Sequence, residues 1–191
     1  MMDQRFLLKH HQLDQLLLPS GLLREPFSSI DRADVVIINR KFSSSKLLPK
    51  AILKKLGDKK IFYAHYEVAE IVDVKTHQKF NIDEFKGQRS LVVSGIARPY
   101  SFIKLLETNH VDVTNKLLFP DHKHYTEKEV QAIRKKFYDT NAYSVITTQK
   151  DAVKLKNYAL QLDDIDIYYV KINLVLEKQS EFENILLEII N

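Results

Sequence analysis

Short runs of β-branched and aromatic residues alternate along this chain with longer stretches of helical period, and that alternation confines the fold to a layered α/β domain. Val35 to Ile38 (VVII) and Leu91 to Val93 (LVV) are apolar at consecutive positions. A strand with one wet face shows period two; a strand covered on both faces does not, so these runs predict a mostly parallel sheet with helices on both sides. The spacing predicts strands over 34–39, 60–64, 90–95, 111–119, 144–148 and 165–176. It predicts helices over 45–56, 99–108, 126–137, 150–160 and 180–190. Pro99 suits a first helical position, and Thr126 with Glu129 and Ser180 with Glu183 read as capping boxes. Residues 66–85 depart from the pattern: Val68 to Val74 alternates, a polar turn runs from Lys75 to Lys79, and Phe80 and Ile82 follow, which reads as a small antiparallel excursion.

Composition narrows the function classes. At 191 residues with 45% hydrophobic content, the chain can bury a sizeable core. Cysteine is absent, which excludes disulfides, thiolate metal sites and a cysteine nucleophile and fits a cytoplasmic setting. The four glycines, Gly21, Gly57, Gly87 and Gly95, are too far apart to form a phosphate-cradling loop of either familiar spacing. The net charge of +4 is dispersed among 25 acidic residues, so nucleic acid has weak support, and the mild basicity equally suits an anionic substrate or an anionic membrane face. No apolar run approaches the roughly 20 residues of a membrane span, and the start of the chain lacks the features of a secretory signal. Met1 to Gln15, with His10 and His11, is expected to be poorly anchored.

In open parallel sheets, ligands gather beyond the carboxyl ends of the strands. Those places hold Asn39-Arg40, Ser94 to Pro99, Pro120 to Tyr125 and Thr147 to Asp151, and the loop Leu18 to Pro26 adds the adjacent opposite charges Arg24 and Glu25. Asp121 and His122 read from the residues alone as the brace of a turn before the helix at Thr126. Arg24 and Glu25 read as a surface ion pair or as a phosphate clamp with its orienting carboxylate. Lys150 and Asp151 read as a first helical turn complementing the dipole, or as ligand contacts; Arg98, before Pro99, reads as a solvated loop arginine or as an anion contact. No third ligand at a familiar spacing accompanies His122 and His124, so no metal site is predicted.

Five collinear segments give these places a family. LLPSGLLREP (Leu17 to Pro26), RADVVIINR (Arg32 to Arg40), SGIARPYSF (Ser94 to Phe102), FPDHKHYT (Phe119 to Thr126) and TTQKDAVKL (Thr147 to Leu155) together resemble the C-terminal part of the tetraacyldisaccharide 4'-kinases. The resemblance implies a Rossmann-like fold, the C-terminal half of a P-loop kinase, and ATP-dependent phosphorylation of the 4'-hydroxyl of a lipid A disaccharide precursor. It implies ATP and Mg as cofactors, and work in the cytoplasm, peripheral at the inner membrane's cytoplasmic face. In the family pattern His122, with Asp121 beside it, assists deprotonation of the sugar hydroxyl together with an upstream aspartate. Arg24, Glu25, Asn39, Lys150 and Asp151 fall on the nucleotide side and Arg98 on the substrate side. The chain departs from the family where Asn39 to Phe42 replaces Thr-Lys-Cys-Pro and where Gln149 replaces Glu.

The resemblance covers only the later half or so of the family. Residues 1–26 are therefore expected to join a P-loop domain that lies in cis on a longer chain or comes in trans, with residues 27–191 forming the α/β domain. Without a phosphate cradle and metal site, little charge stabilisation is left for phosphoryl transfer, so the isolated chain is expected to be inactive. The rival expectation is a non-catalytic module that binds anionic glycolipid.

Overall fold

The computed structural model describes residues 1–9, 18, 23–41 and 47–190. The described chain divides into two compact units, Met1–Tyr66 with Leu174–Asn191, and Glu67–Asn173. Two strands, β3 (Lys60–Asp73) and β8 (Ile167–Leu176), carry the chain from one unit to the other.

In the first unit β1 (Met2–Asp3), β2 (Val35–Lys41) and the start of β3 are parallel neighbours, with Met2 opposite Ile38 and Val35 opposite Lys60. Helix α1 (Gln4–Lys9) follows β1, and its Leu7 is fully buried with Val36, Ile38, Ile52 and Leu56. The expectation of a poorly anchored start is therefore corrected for residues 1–9: pairing with β2 and burial of Leu7 hold them. Gln15, His10 and His11 lie outside the described residues.

Helix α2 (Lys50–Leu56) begins later than the sequence predicts; Ser45 and Lys46 are outside the described residues, and Leu47 to Pro49 are not helical. A residue before proline is pushed out of the helical region, so Pro49 sets the start. Gly57, at φ +60°, closes the helix with its N–H on the carbonyls of Leu53 and Lys54. Helix α6 (Gln179–Ile190) packs Phe182 edge-on against Phe62, with ring centroids 5.2 Å apart. The capping box at Ser180 does not form: Ser180 lies inside the helix, and Glu183 instead accepts a hydrogen bond from the Gln179 amide at 2.7 Å.

The second unit holds β5 (Arg89–Ser94), β6 (Asp112–Leu118), β7 (Ser144–Thr148) and β8 as a parallel sheet in the order β8-β7-β5-β6. Leu91, Val92, Val93, Val145 and Ile146 are all fully buried, so both faces of the central strands are covered, as the consecutive apolar runs require. Helix α3 (Pro99–Thr108) buries Phe102, Ile103, Leu105 and Leu106 and matches its predicted limits. Helix α4 (Glu127–Asp139) buries Val130, Ile133 and Phe137. Helix α5 (Gln149–Leu155) is shorter than predicted and continues as a 3-10 turn from Lys156 to Leu162, with Tyr158 out of helical geometry. The predicted antiparallel excursion is present: β3 runs on to Asp73, and β4 (Lys79–Phe80) folds back with Phe80 opposite Ile71. Among the described residues no helix is long and apolar enough to cross a membrane.

Candidate functional site

Because β6, β5 and β7 are adjacent and parallel, their carboxyl ends share one rim of the second unit, with Ser94 opposite Leu118 and Val93 opposite Thr147. Three connections leave this rim: the turn Ser94 to Arg98, the loop Phe119 to Thr126, and the junction of β7 with α5.

The junction is built around Asp151, which is fully buried. Thr148 caps α5, its hydroxyl accepting the Asp151 N–H at 3.2 Å and donating to Asp151 Oδ2 at 2.8 Å. The Gly95 N–H donates to the same Oδ2 at 2.9 Å, tying the end of β5 to the start of α5. Asp151 Oδ1 has no hydrogen bond among the described residues; Lys154 Nζ lies 3.7 Å from it. The Tyr125 hydroxyl is likewise buried without a hydrogen bond among them. Burial, and then the neighbouring Asp151 carboxylate, push the Tyr125 phenol well above its ordinary value of 10.0. A Cβ on Gly95 would stand 3.2 Å from Asp151 Oδ1, 3.3 Å from the Tyr125 oxygen and 3.4 Å from Lys123 Cβ. Only glycine lets these three groups close on the turn without displacement.

The loop after β6 is fastened at several points. The Phe119 N–H donates to the Ser94 carbonyl at 2.8 Å, and the Tyr158 hydroxyl donates to the Tyr125 carbonyl at 2.8 Å. Lys154 Nζ donates to the Lys123 carbonyl at 3.0 Å. The rings of Phe119 and Tyr125 meet edge-on with centroids 5.4 Å apart. Lys123 reaches Glu129 at 2.8 Å, and Glu129 accepts from the Thr126 N–H at 2.9 Å, which completes the predicted capping box. The Lys123 hydrogen bond first, and those from Thr126 next, hold the Glu129 carboxyl at about 2, below its ordinary 4.5.

From this fastened loop His122 projects into solvent, its side chain 94% exposed. Its backbone is in the left-handed region at φ +58°, a conformation that costs a non-glycine residue about 1 kcal/mol or more. Asp121 braces it twice: Oδ1 accepts the His122 N–H at 2.9 Å, and Oδ2 lies 3.5 Å from Nε2.

Five of the sequence-predicted site residues lie on these connections: Arg98 directly precedes α3, Asp121 and His122 share the loop, and Lys150 and Asp151 lie in the first turn of α5. Arg98, Asp121, His122 and Lys150 are exposed, while Asp151 faces inward. Three belong to the first unit. Arg24 is exposed, and Glu25 pairs with Arg32 at 2.5 Å. Asn39 is buried, accepting the Lys41 N–H on its side-chain oxygen at 2.7 Å. The neighbouring Arg40 pairs with Glu177 and stacks 3.9 Å over the Tyr63 ring. Sequence reasoning missed the cluster of Gly95, Tyr125 and Lys154 around Asp151. Its one signal was a glycine directly after a strand, and that does not name partners.

A parallel sheet whose polar connections collect past the ends of three adjacent strands defines an open α/β domain, the class in which that rim is where ligands gather. The chain belongs to the tetraacyldisaccharide-1-P 4'-kinase (LpxK) family, which its sequence matches over residues 8–191. A tetraacyldisaccharide 4'-kinase of Bdellovibrio bacteriovorus is 38% identical over 145 residues, 73% of this chain and 42% of that protein. One from Francisella tularensis is 32% identical over 146 residues, 76% of this chain and 42% of the relative. The crystal structure of an "apo" form LpxK from Aquifex aeolicus, in complex with ATP, has the same fold, with a TM-score of 0.62 at 22% identity, covering 91% of this chain and 48% of that one. The chain thus spans less than half the length of the relatives it matches.

Proposed function

We propose that this chain supplies the sugar-hydroxyl side of a tetraacyldisaccharide 4'-kinase, acting on a lipid A disaccharide precursor at the cytoplasmic face of the inner membrane. The single observation that carries this reading is His122: a solvent-facing imidazole on a strained backbone, braced by Asp121 and presented by a loop that is otherwise pinned down. Strain of this kind collects where a side chain must be presented rather than packed.

His122 stands to accept the proton of the 4'-hydroxyl. Asp121 orients the ring and favours the imidazolium that results. Arg98 and Lys150 hold anionic groups of the substrate or nucleotide beside it. The family pattern alone assigns Arg24, Glu25 and Asn39 to the nucleotide side. ATP and magnesium, which the family implies, do not fit the described residues alone: among them no three His, Asp or Glu side chains are grouped to hold a metal, and the spacing of the glycines gives no cradle. We therefore assign both to a P-loop domain joined through residues 1–26, supplied in cis or in trans.

The test is reconstitution. Mixed with a P-loop half of the family, the chain is expected to support ATP-dependent phosphorylation of the disaccharide, and His122→Ala is expected to lower turnover about a hundredfold or more. Glycolipid binding without turnover in every such mixture would instead support a non-catalytic anionic-glycolipid module.

A further inference from the structure

The loop that presents His122 is held from behind by a buried carboxylate that touches no solvent. Asp151 Oδ2 is fully used by the Gly95 N–H and the Thr148 hydroxyl, which fix the carboxylate to the ends of β5 and β7. Its other oxygen faces the Lys154 ammonium at 3.7 Å. That ammonium donates to the carbonyl of Lys123, the residue directly after His122, and lies 5.8 Å over the Tyr125 ring. A buried carboxylate is costly to leave unpaired, so Lys154 is drawn toward Asp151, and the bond it makes to the loop is fixed in direction. Gly95 lets Asp151, Tyr125 and Lys123 converge, since each would crowd a Cβ there.

We propose that Asp151 and Lys154 form a positioning relay for the His122 loop, in which the carboxylate sets the ammonium and the ammonium sets the backbone at Lys123. This assigns Asp151 a role away from any ligand, and it rests on the reading that His122 is the proton acceptor. Aiming the loop matters for catalysis because an ångström of misplacement at a reacting group removes much of the advantage of holding it near.

The relay can be tested on this chain without nucleotide or substrate. Amide hydrogen exchange is followed at Phe119, His122 and Lys123, whose N–H groups bond within the loop region, with Val145 in the central sheet as the control. Lys154→Met keeps the apolar stem and removes the ammonium. It is expected to speed exchange at His122 and Lys123 about tenfold while leaving Val145 unchanged. Lys154→Arg is expected to restore much of the protection. Asp151→Asn is expected to behave like Lys154→Met if it folds. Because Lys154 is partly exposed, its variants keep the question answerable if the Asp151→Asn chain does not fold. Unchanged exchange at His122 and Lys123 in Lys154→Met would overturn the relay. In a preparation containing the P-loop half, Lys154→Met is expected to lower kcat with little change in KM, and equal loss in both would also count against it. If His122→Ala left turnover intact while the exchange results held, the catalytic reading would fail and the mechanical coupling would stand.

Discussion

His122 and Asp151 lie past strands β6 and β7, on either side of β5, and the fold treats them oppositely. One is almost wholly in solvent on a left-handed backbone; the other has no exposed surface and two hydrogen bonds on its Oδ2. The difference separates reach from hold. A group that must meet a substrate gains from exposure, whereas a group that fixes a loop gains from burial, where an electrostatic contact is stronger and less screened.

The largest effect is expected at Asp151. Asp151→Ala strips the acceptor from the Gly95 N–H and the Thr148 hydroxyl, so urea unfolding should show a loss of about 2–4 kcal/mol. Gly95→Ala should come next, at about 1–3 kcal/mol by the same measurement, because the new methyl meets Asp151, Tyr125 and Lys123 at 3.2 to 3.4 Å. At His122 the sign reverses. His122→Gly should be more stable than His122→Ala by about 1 kcal/mol, since glycine adopts the left-handed backbone freely. The subtlest effect is on acid stability. Glu129 has a lowered folded-state value, so its contribution is complete above about pH 4.5 and is lost as the pH falls toward about 2. A pH series of melting temperatures should therefore flatten within that interval in Glu129→Gln; an unchanged slope would show that Lys123 and Thr126 do not hold the carboxylate.

Much of this architecture is legible in the sequence for identifiable reasons. The LVV run of β5 is buried on both faces, and Pro99 with its amphipathic spacing marks α3 to the residue. The second strand of the first unit is visible in VVII in the same way. The length of β3 is not legible, because its alternating second half, Val68 to Asp73, reads as a separate hairpin strand when it continues one that began at Lys60. The anchoring of the first residues escapes notice because two residues of strand leave no periodicity to detect. At the site, the motif FPDHKHYT marks Asp121 and His122, and the structure puts them on the rim where open sheets bind ligands. Asp151 shows the boundary of such reading. An acid in a helical first turn has the same sequence signature whether it points to solvent or, as here, to the backbone of a neighbouring strand end. Tyr125 and Lys154 are hidden for a related reason: what defines each is a partner far off in the chain, Asp151 and Gly95 for the tyrosine and the Lys123 carbonyl for the lysine.

The most direct measurement pairs two readouts on one variant. His122→Ala, combined with a P-loop half of the family, should unfold at the same urea concentration as the parent chain within about 0.5 kcal/mol, because the lost ring is exposed. Its turnover of the disaccharide should fall about a hundredfold or more. Full turnover by a chain without that imidazole would contradict the account.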